Sequence, residues 1–291
     1  MKNISSGTSG RLLVVLAAIL WSSSGAFVKS PPLESLSRET AGPTIAFYRA
    51  VVATLVLLPF FRFRRFKWHP ALPVLVLSFA AMNILFISSM TLTTAANTIL
   101  LQYSAPIWMF IASVTLLREK VDRRNLVGLV LGMVGVGVIL HAFIDGAESL
   151  GVFLGIGAGL GYAGVVVCLR ILRDHDPIVL TTLNFAVSAL VLIPWVATSG
   201  AVPDLSQAGV ITAFGIIQVA AAYLVFARGM QTVSPQEAGV ITLLEPVLNP
   251  LWVLLLWHEP IAGATLVGGG FILAGLGARY LPISRASATA A

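Results

Sequence analysis

Gly239 to Glu259 reads GVITLLEPVLNPLWVLLLWHE, and this stretch decides the fold. It is apolar enough to cross a bilayer, yet Glu245 and Asn249 sit near its middle, four residues apart on one helical face, and Pro246 and Pro250 interrupt its backbone ladder. An ionisable group at membrane depth is costly against lipid, so it is expected to face a bundle interior or a watery cavity. The stretch also has a twin. Shifted by 140 positions, Ile99 to Glu119 (ILLQYSAPIWMFIASVTLLRE) aligns Pro106 with Pro246 and Glu119 with Glu259.

Composition sets the class. Of 291 residues, 57% are hydrophobic and 10% charged, against about 25% charged in ordinary soluble domains, which implies a polytopic membrane protein. The net charge of +6 does not indicate nucleic acid, because the bases lie between apolar runs rather than along an aromatic-studded surface. The single cysteine, Cys168, excludes an intrachain disulfide and a cysteine-based metal site. His69, His141, His175 and His258 show no ligand spacing, and the GxGxG pattern near Gly155 lacks the preceding strand that a nucleotide site requires. No metal, no cofactor and no enzymatic centre is expected.

Apolar runs predict an all-α protein of ten spans: 12–29, 43–61, 71–90, 94–117, 125–142, 150–170, 178–197, 207–228, 235–257 and 262–281. With the N-terminus inside, Lys2, Arg11, Arg62, Arg64, Arg65, Lys67, Arg118, Lys120, Arg123, Arg124, Arg170, Arg173, Arg228, Arg279 and Arg285 share the cytoplasmic side, fifteen of the eighteen bases. Both termini are therefore predicted cytoplasmic. Five spans per half is odd, so the halves lie inverted in the membrane. Arg118, Lys120, Arg123 and Arg124 follow the fourth span, whereas its counterpart after Trp257, His258 to Ile261, has no Lys or Arg. Gly128 with Gly268, Gly135 with Gly275, Gly137 with Gly277, and TLVLLPF (54–60) with ALVLIPW (189–195) extend the match. The domains expected are a flexible tail 1–10, repeats 11–143 and 149–281, and a tail 282–291. A five-plus-five inverted repeat is a transporter design with substrate at the interface of the halves, near the midplane.

The proline-broken fourth helix of each half, ending in Glu and followed by a glycine-rich helix, together with LLEPV (243–247), resembles the EamA branch of the drug/metabolite transporter superfamily. Within it the chain is most similar to the YddG-type aromatic amino-acid exporters of Gram-negative bacteria. The resemblance implies a bacterial inner-membrane exporter of aromatic or neutral amino acids and related metabolites, working by alternating access around a shared central cavity. Exporters of other metabolites or drugs belong to the same superfamily.

The cavity residues proposed from the sequence are Trp21, Ser24, Asn83, Gln102, Tyr103, Tyr162, Gln218, Tyr223, Glu245 and Asn249, with Pro106, Pro246 and Pro250 breaking the helices. Prolines free the carbonyls of Gln102, Thr242 and Pro246, which then need partners from side chains, water or a substrate ammonium. Glu245 either neutralises a substrate amino group or carries a proton, or it braces the bend. Each aromatic lines the pocket or packs in the bundle. Arg49, inside the second span, is expected to snorkel to the outer interface, a carboxylate partner or a substrate carboxylate being the alternatives. Glu119 and Glu259 are expected to cap adjacent helices. A proton-coupled carrier and a passive channel-like facilitator both fit, and a monomer with a small-molecule substrate in a lipid bilayer is the functional unit expected.

Overall fold

The computed structural model describes residues 2–115 and 123–280. Residues 116–122 and 281–291, which hold Glu119, Arg118, Lys120 and the expected C-terminal tail, lie outside them. Among the described residues the chain is all-helical, without a strand. α1 (Lys2–Ser22) and α2 (Ser24–Val28) are followed by the short α3 (Pro31–Glu34), then α4 (Ala41–Leu57), α5 (Ala71–Leu92), α6 (Ala95–Gln102), α7 (Ala105–Thr115), α8 (Arg123–Phe143) and α9 (Ser149–Ile171). After these come α10 (Pro177–Ser199), α11 (Leu205–Phe214), α12 (Ala222–Gly229), α13 (Pro235–Ile241), α14 (Leu244–Trp257) and α15 (Gly263–Tyr280). α1 begins at Lys2, within the stretch expected to be a flexible tail.

Among the described residues eight helical stretches are long and apolar enough to cross a bilayer: Thr8–Val28, Ala41–Phe60, Ala71–Leu92, Leu126–Phe143, Ser149–Ile171, Pro177–Ser199, Leu205–Gly229 and Glu237–Trp257. Gly263–Ala278 is a shorter apolar helix. The stretch expected as a fourth continuous span is instead the pair α6 and α7, broken at Tyr103 and Ser104. Pro106 has no N–H to give to the carbonyl of Gln102, and the chain passes the gap in tight turns, Ser104 N to Leu101 O and Ile107 N to Ser104 O. The same chemistry four residues before Pro246 separates α13 from α14, where Glu245 N bonds Thr242 O at 3.0 Å. A third departure from α geometry is the π-helical turn Gly215–Ala221, between α11 and α12.

Where lipid is as apolar as the side chains, helices associate through close contact rather than through a hydrophobic drive, and small residues permit that contact. α8 and α15 show it. A Cβ on Gly135 would strike the carbonyl oxygen of Gly268, and a Cβ on Gly275 would meet that of Gly128 at 2.7 Å. α5 packs along α9, α4 along α10, and α1 against α12 and α14. Two large apolar cores result, one around Ile45, Ile87, Met90, Ile99 and Leu101, the other around Leu57, Leu75, Phe79, Phe185 and Val219, with a smaller cluster of Val14, Val233 and Ala238 beside them.

Candidate functional site

The two breaks meet. The Tyr103 hydroxyl, on the break between α6 and α7, donates to Glu245 Oε2 at 3.0 Å and lies 3.3 Å from the Thr242 carbonyl, to which Pro246 has no N–H to give. Tyr162 of α9 stands edge-on to Tyr103, ring centroids 6.4 Å apart. Glu245 is thus bonded by a residue of the other half of the chain, Tyr103. Gln102, the last residue of α6, is buried directly before this junction.

A second group lies in the middle of α4, α5, α10 and the π turn. Arg49 is 5% exposed, which corrects the expectation that it snorkels. It is the ninth residue of seventeen in α4, too central for its side chain to reach an interface. Arg49 Nη1 donates to Gln218 Oε1 at 3.3 Å, Nη2 donates to Asn83 Oδ1, and the guanidinium carbon lies 4.7 Å from the Phe214 ring centroid. Asn83 is held with its oxygen toward Arg49 because its amide nitrogen donates to Ser188 Oγ at 2.8 Å. The π turn carries Gln218, whose amide also donates to the Trp21 carbonyl at 3.2 Å. Trp21 in turn packs edge-on against Tyr223, centroids 5.1 Å apart. Tyr223 lies within electrostatic range of both Glu245 and Arg49, which links the two groups.

Ser24 and Asn249 belong to a third place, a seam between α2 and α14. Asn249 Nδ2 donates to Ser24 Oγ at 2.7 Å, Trp252 Nε1 to Ser22 Oγ at 2.9 Å, and Trp257 Nε1 to the Ala26 carbonyl at 2.7 Å. Gly25 allows the approach, since a Cβ there would fall 2.6 Å from Asn249 Oδ1. The structure therefore brings Trp21, Asn83, Gln218 and Tyr223 together, joins Tyr103, Tyr162 and Glu245, and sets Ser24 and Asn249 apart as a pair. Pro246 and Asn249 are buried, and Pro106 and Pro250 partly so.

The sequence reading missed one end of the bundle. Lys29 Nζ lies 2.9 Å from Glu259 Oε2 and donates to the Thr93 carbonyl at 2.8 Å. Glu259 Oε1 accepts the Ala95 N–H at 2.9 Å, so this acid caps α6 as expected of an adjacent helix. Thr93 Oγ1 donates to Glu148 Oε2 at 2.5 Å, and Asn97 links Thr93 to Thr265 of α15. The available signals were Lys29, a base directly after the first apolar run, and Glu148, an acid directly before α9. At the opposite end a cavity of about 620 Å³ opens among Phe60, Arg62, Arg65, Asp176, Arg228 and Gln231. There Arg65 pairs with Asp176 at 2.9 Å, and Arg11 with Glu237 at 2.5 Å. Partial burial pushes the Asp176 carboxyl up, but hydrogen bonds from Arg65 and from the Ile178 and Val179 N–H groups prevail and hold it below the ordinary carboxylate range.

No group of three or more His, Cys, Asp or Glu side chains suited to a metal occurs among the described residues. What the site offers is polar groups buried or half-buried between apolar helices, Tyr103 and Glu245 from the two breaks among them.

Known proteins resemble this chain along most of its length. An uncharacterized transporter of Archaeoglobus fulgidus is 29% identical over 272 residues, covering 92% of this chain and 94% of that protein. The uncharacterized transporter YwfM of Bacillus subtilis is 23% identical, covering 91% of each, and one from Helicobacter pylori is 26% identical over 84% of each. A solved crystal structure at 17% identity shares the fold, with a TM-score of 0.63 over 93% of this chain and 96% of the other. The model of the EamA-like transporter family matches twice, at residues 8–141 and again at 149–278. Read with the apolar helices and the polar groups buried between them, that double match means that the chain belongs to the EamA-like transporter family, membrane transporters rather than enzymes.

Proposed function

We propose that the protein is a secondary exporter of amino acids and related small zwitterions, with ten spans arranged as two inverted repeats, 11–143 and 149–281, that alternate access to a central site. The observation that carries the reading is the hydrogen bond between Tyr103 and Glu245, which ties an acid at membrane depth to the helix break of the opposite half. Packing agrees with the repeat. Exchanging each helix for the one 140 positions away turns the α5–α9 contact into that of α12 with α1, the α6–α9 contact into that of α13 with α1, and the α7–α9 contact into that of α14 with α1. The α4–α10 and α8–α15 contacts map onto themselves. The family resemblance supports a bacterial inner-membrane location and the placement of the bases supports cytoplasmic termini, and the base-rich end is then the one that holds the open cavity.

In this reading Glu245 receives the substrate ammonium, exchanging its bond from Tyr103 for one from the cargo. Trp21, Tyr162 and Tyr223 supply apolar walls. The Lys29–Glu259 pair and the Thr93–Glu148 bond shut the outer end in the state described. Flux of radiolabelled aromatic and neutral amino acids into proteoliposomes tests it. Transport is expected for the wild type, with Glu245→Gln cutting the rate about tenfold or more, as loss of a charge-assisted hydrogen bond implies, and Gln102→Ala reducing it, both at unchanged expression. No flux above empty liposomes across a broad panel overturns the reading, and dependence on an imposed proton gradient separates a coupled carrier from a passive facilitator.

A further inference from the structure

Arg49 takes no part in the ammonium binding proposed for Glu245, and it is a costly side chain to bury. A cation buried at membrane depth requires a compensating charge or it is not retained, because a packed apolar residue of similar size is usually more stable there. Here the compensation is incomplete. Asn83 Oδ1 and Gln218 Oε1 are neutral dipoles, and the face of Phe214 adds a weak attraction. Among the described residues no carboxylate pairs with Arg49. Its Nε is buried and has no hydrogen-bond partner. That N–H is one of the two donors on the guanidinium edge that takes a carboxylate in the bidentate manner.

The surroundings are built rather than incidental. Four helical stretches, α4, α5, α10 and the π turn, converge on this guanidinium through Asn83, Ser188 and Gln218. Each amide is oriented by a second bond, Asn83 by Ser188 and Gln218 by the Trp21 carbonyl. A π turn is rare and concentrates at functional sites, and this one supplies the residue that reaches Arg49. Gln218 bonds the Trp21 carbonyl, Trp21 packs against Tyr223, and Tyr223 lies within electrostatic range of Glu245.

We propose that Arg49, held by Asn83 and Gln218, binds an anionic carboxylate on the transported molecule, so that the cargo is a zwitterion or an organic acid and not an amine or a neutral compound. The inference rests on the transport reading for its setting and goes further in naming the group that every substrate carries. With Glu245 near by, an amino acid places its two charges on two separate protein charges. A plain carboxylic acid uses Arg49 alone.

The test is ligand binding to the purified full-length protein in detergent, read as the shift in unfolding temperature, with proteoliposome flux measured beside it. Probes are the protein amino acids, their carboxamides, and 3-phenylpropionate with phenethylamine as the acid-only and amine-only arms. Acids are expected to bind about tenfold or more tightly than the matching amides, and Arg49→Lys to abolish that preference. Binding of phenylpropionate marks a general carboxylate site, whereas binding of amino acids alone marks a zwitterion site that needs Glu245 as well. Asn83→Asp and Gln218→Glu give the second arm, since either places a carboxylate beside Arg49 within the protein. Both are expected to keep the fold and to lose acid binding. Amides binding as well as acids, no acid in the panel binding, or acid binding unchanged in a folded Asn83→Asp or Gln218→Glu protein would each overturn the inference. Acid-selective binding without flux leaves it standing and removes the transport reading instead.

Discussion

At the residue scale, two acids at opposite ends of the bundle do structural work that can be measured without a substrate. Glu259 both pairs with Lys29 and accepts the first N–H of α6. Glu259→Ala is expected to cost about 1 kcal/mol as a lost cap, and Glu259→Gln less, because the amide oxygen still accepts from Ala95; the difference is read from thermal unfolding in detergent. Asp176 caps α10 through Ile178 N at 3.0 Å and pairs with Arg65. Its carboxyl is held down in the folded protein, so its contribution is fully present above the ordinary carboxylate value of about 3.9 and is lost as pH falls through the lower folded value. Asp176→Asn is therefore expected to destabilise at neutral pH and to match the wild type at the acid end of a pH series of unfolding temperatures. Glu245, Tyr103 and Pro246 were legible as special from their chemistry in an apolar run. The state of Arg49 was not, because depth depends on where a helix begins, and α4 starts at Ala41 rather than at Pro43.

At the element scale, the sequence indicated where helices break better than where they meet. Pro106 and Pro246 mark both interruptions within a few residues, since a missing N–H is a local matter. That Ser24 and Asn249 form a seam with Trp252 and Trp257 depends on how α2 and α14 cross, which no periodicity states. The glycines of α8 and α15 were readable as small-residue packing, and the structure distinguishes among them. Gly135 faces the backbone of Gly268, while Gly137 has nothing within 4 Å of where a side chain would stand. Gly135→Leu is expected to lower stability by about 1–3 kcal/mol through overpacking, and Gly137→Leu to leave it unchanged, both followed by thermal unfolding.

At the scale of the whole molecule, composition sufficed for the class and the internal match for the family-level plan, because both are summed over many residues. Orientation is a property of the membrane as much as of the chain, and it is open to a direct measurement. With Cys168 replaced by serine, single cysteines at Gly146 and Ala201 are expected to react with a membrane-impermeant maleimide on intact cells. A cysteine at Phe63, which is 78% exposed, is expected to react only after the membrane is opened. The reverse pattern would invert the topology.

The wide turn at Gly215–Ala221 has a consequence for how its span is drawn. A π turn closes its hydrogen bonds one residue later than an α turn, so it behaves as a one-residue insertion, and an insertion rotates everything beyond it by about 100° around the axis. A helical wheel through Leu205–Gly229 therefore has two phases. Phe214, before the turn, and Tyr223, after it, belong to different frames of the same helix, yet both face inward, one under Arg49 and the other against Trp21. Deleting a single residue within 215–221 would restore one frame and carry Tyr223 away from Trp21, a larger change to the interior than any one side-chain substitution there.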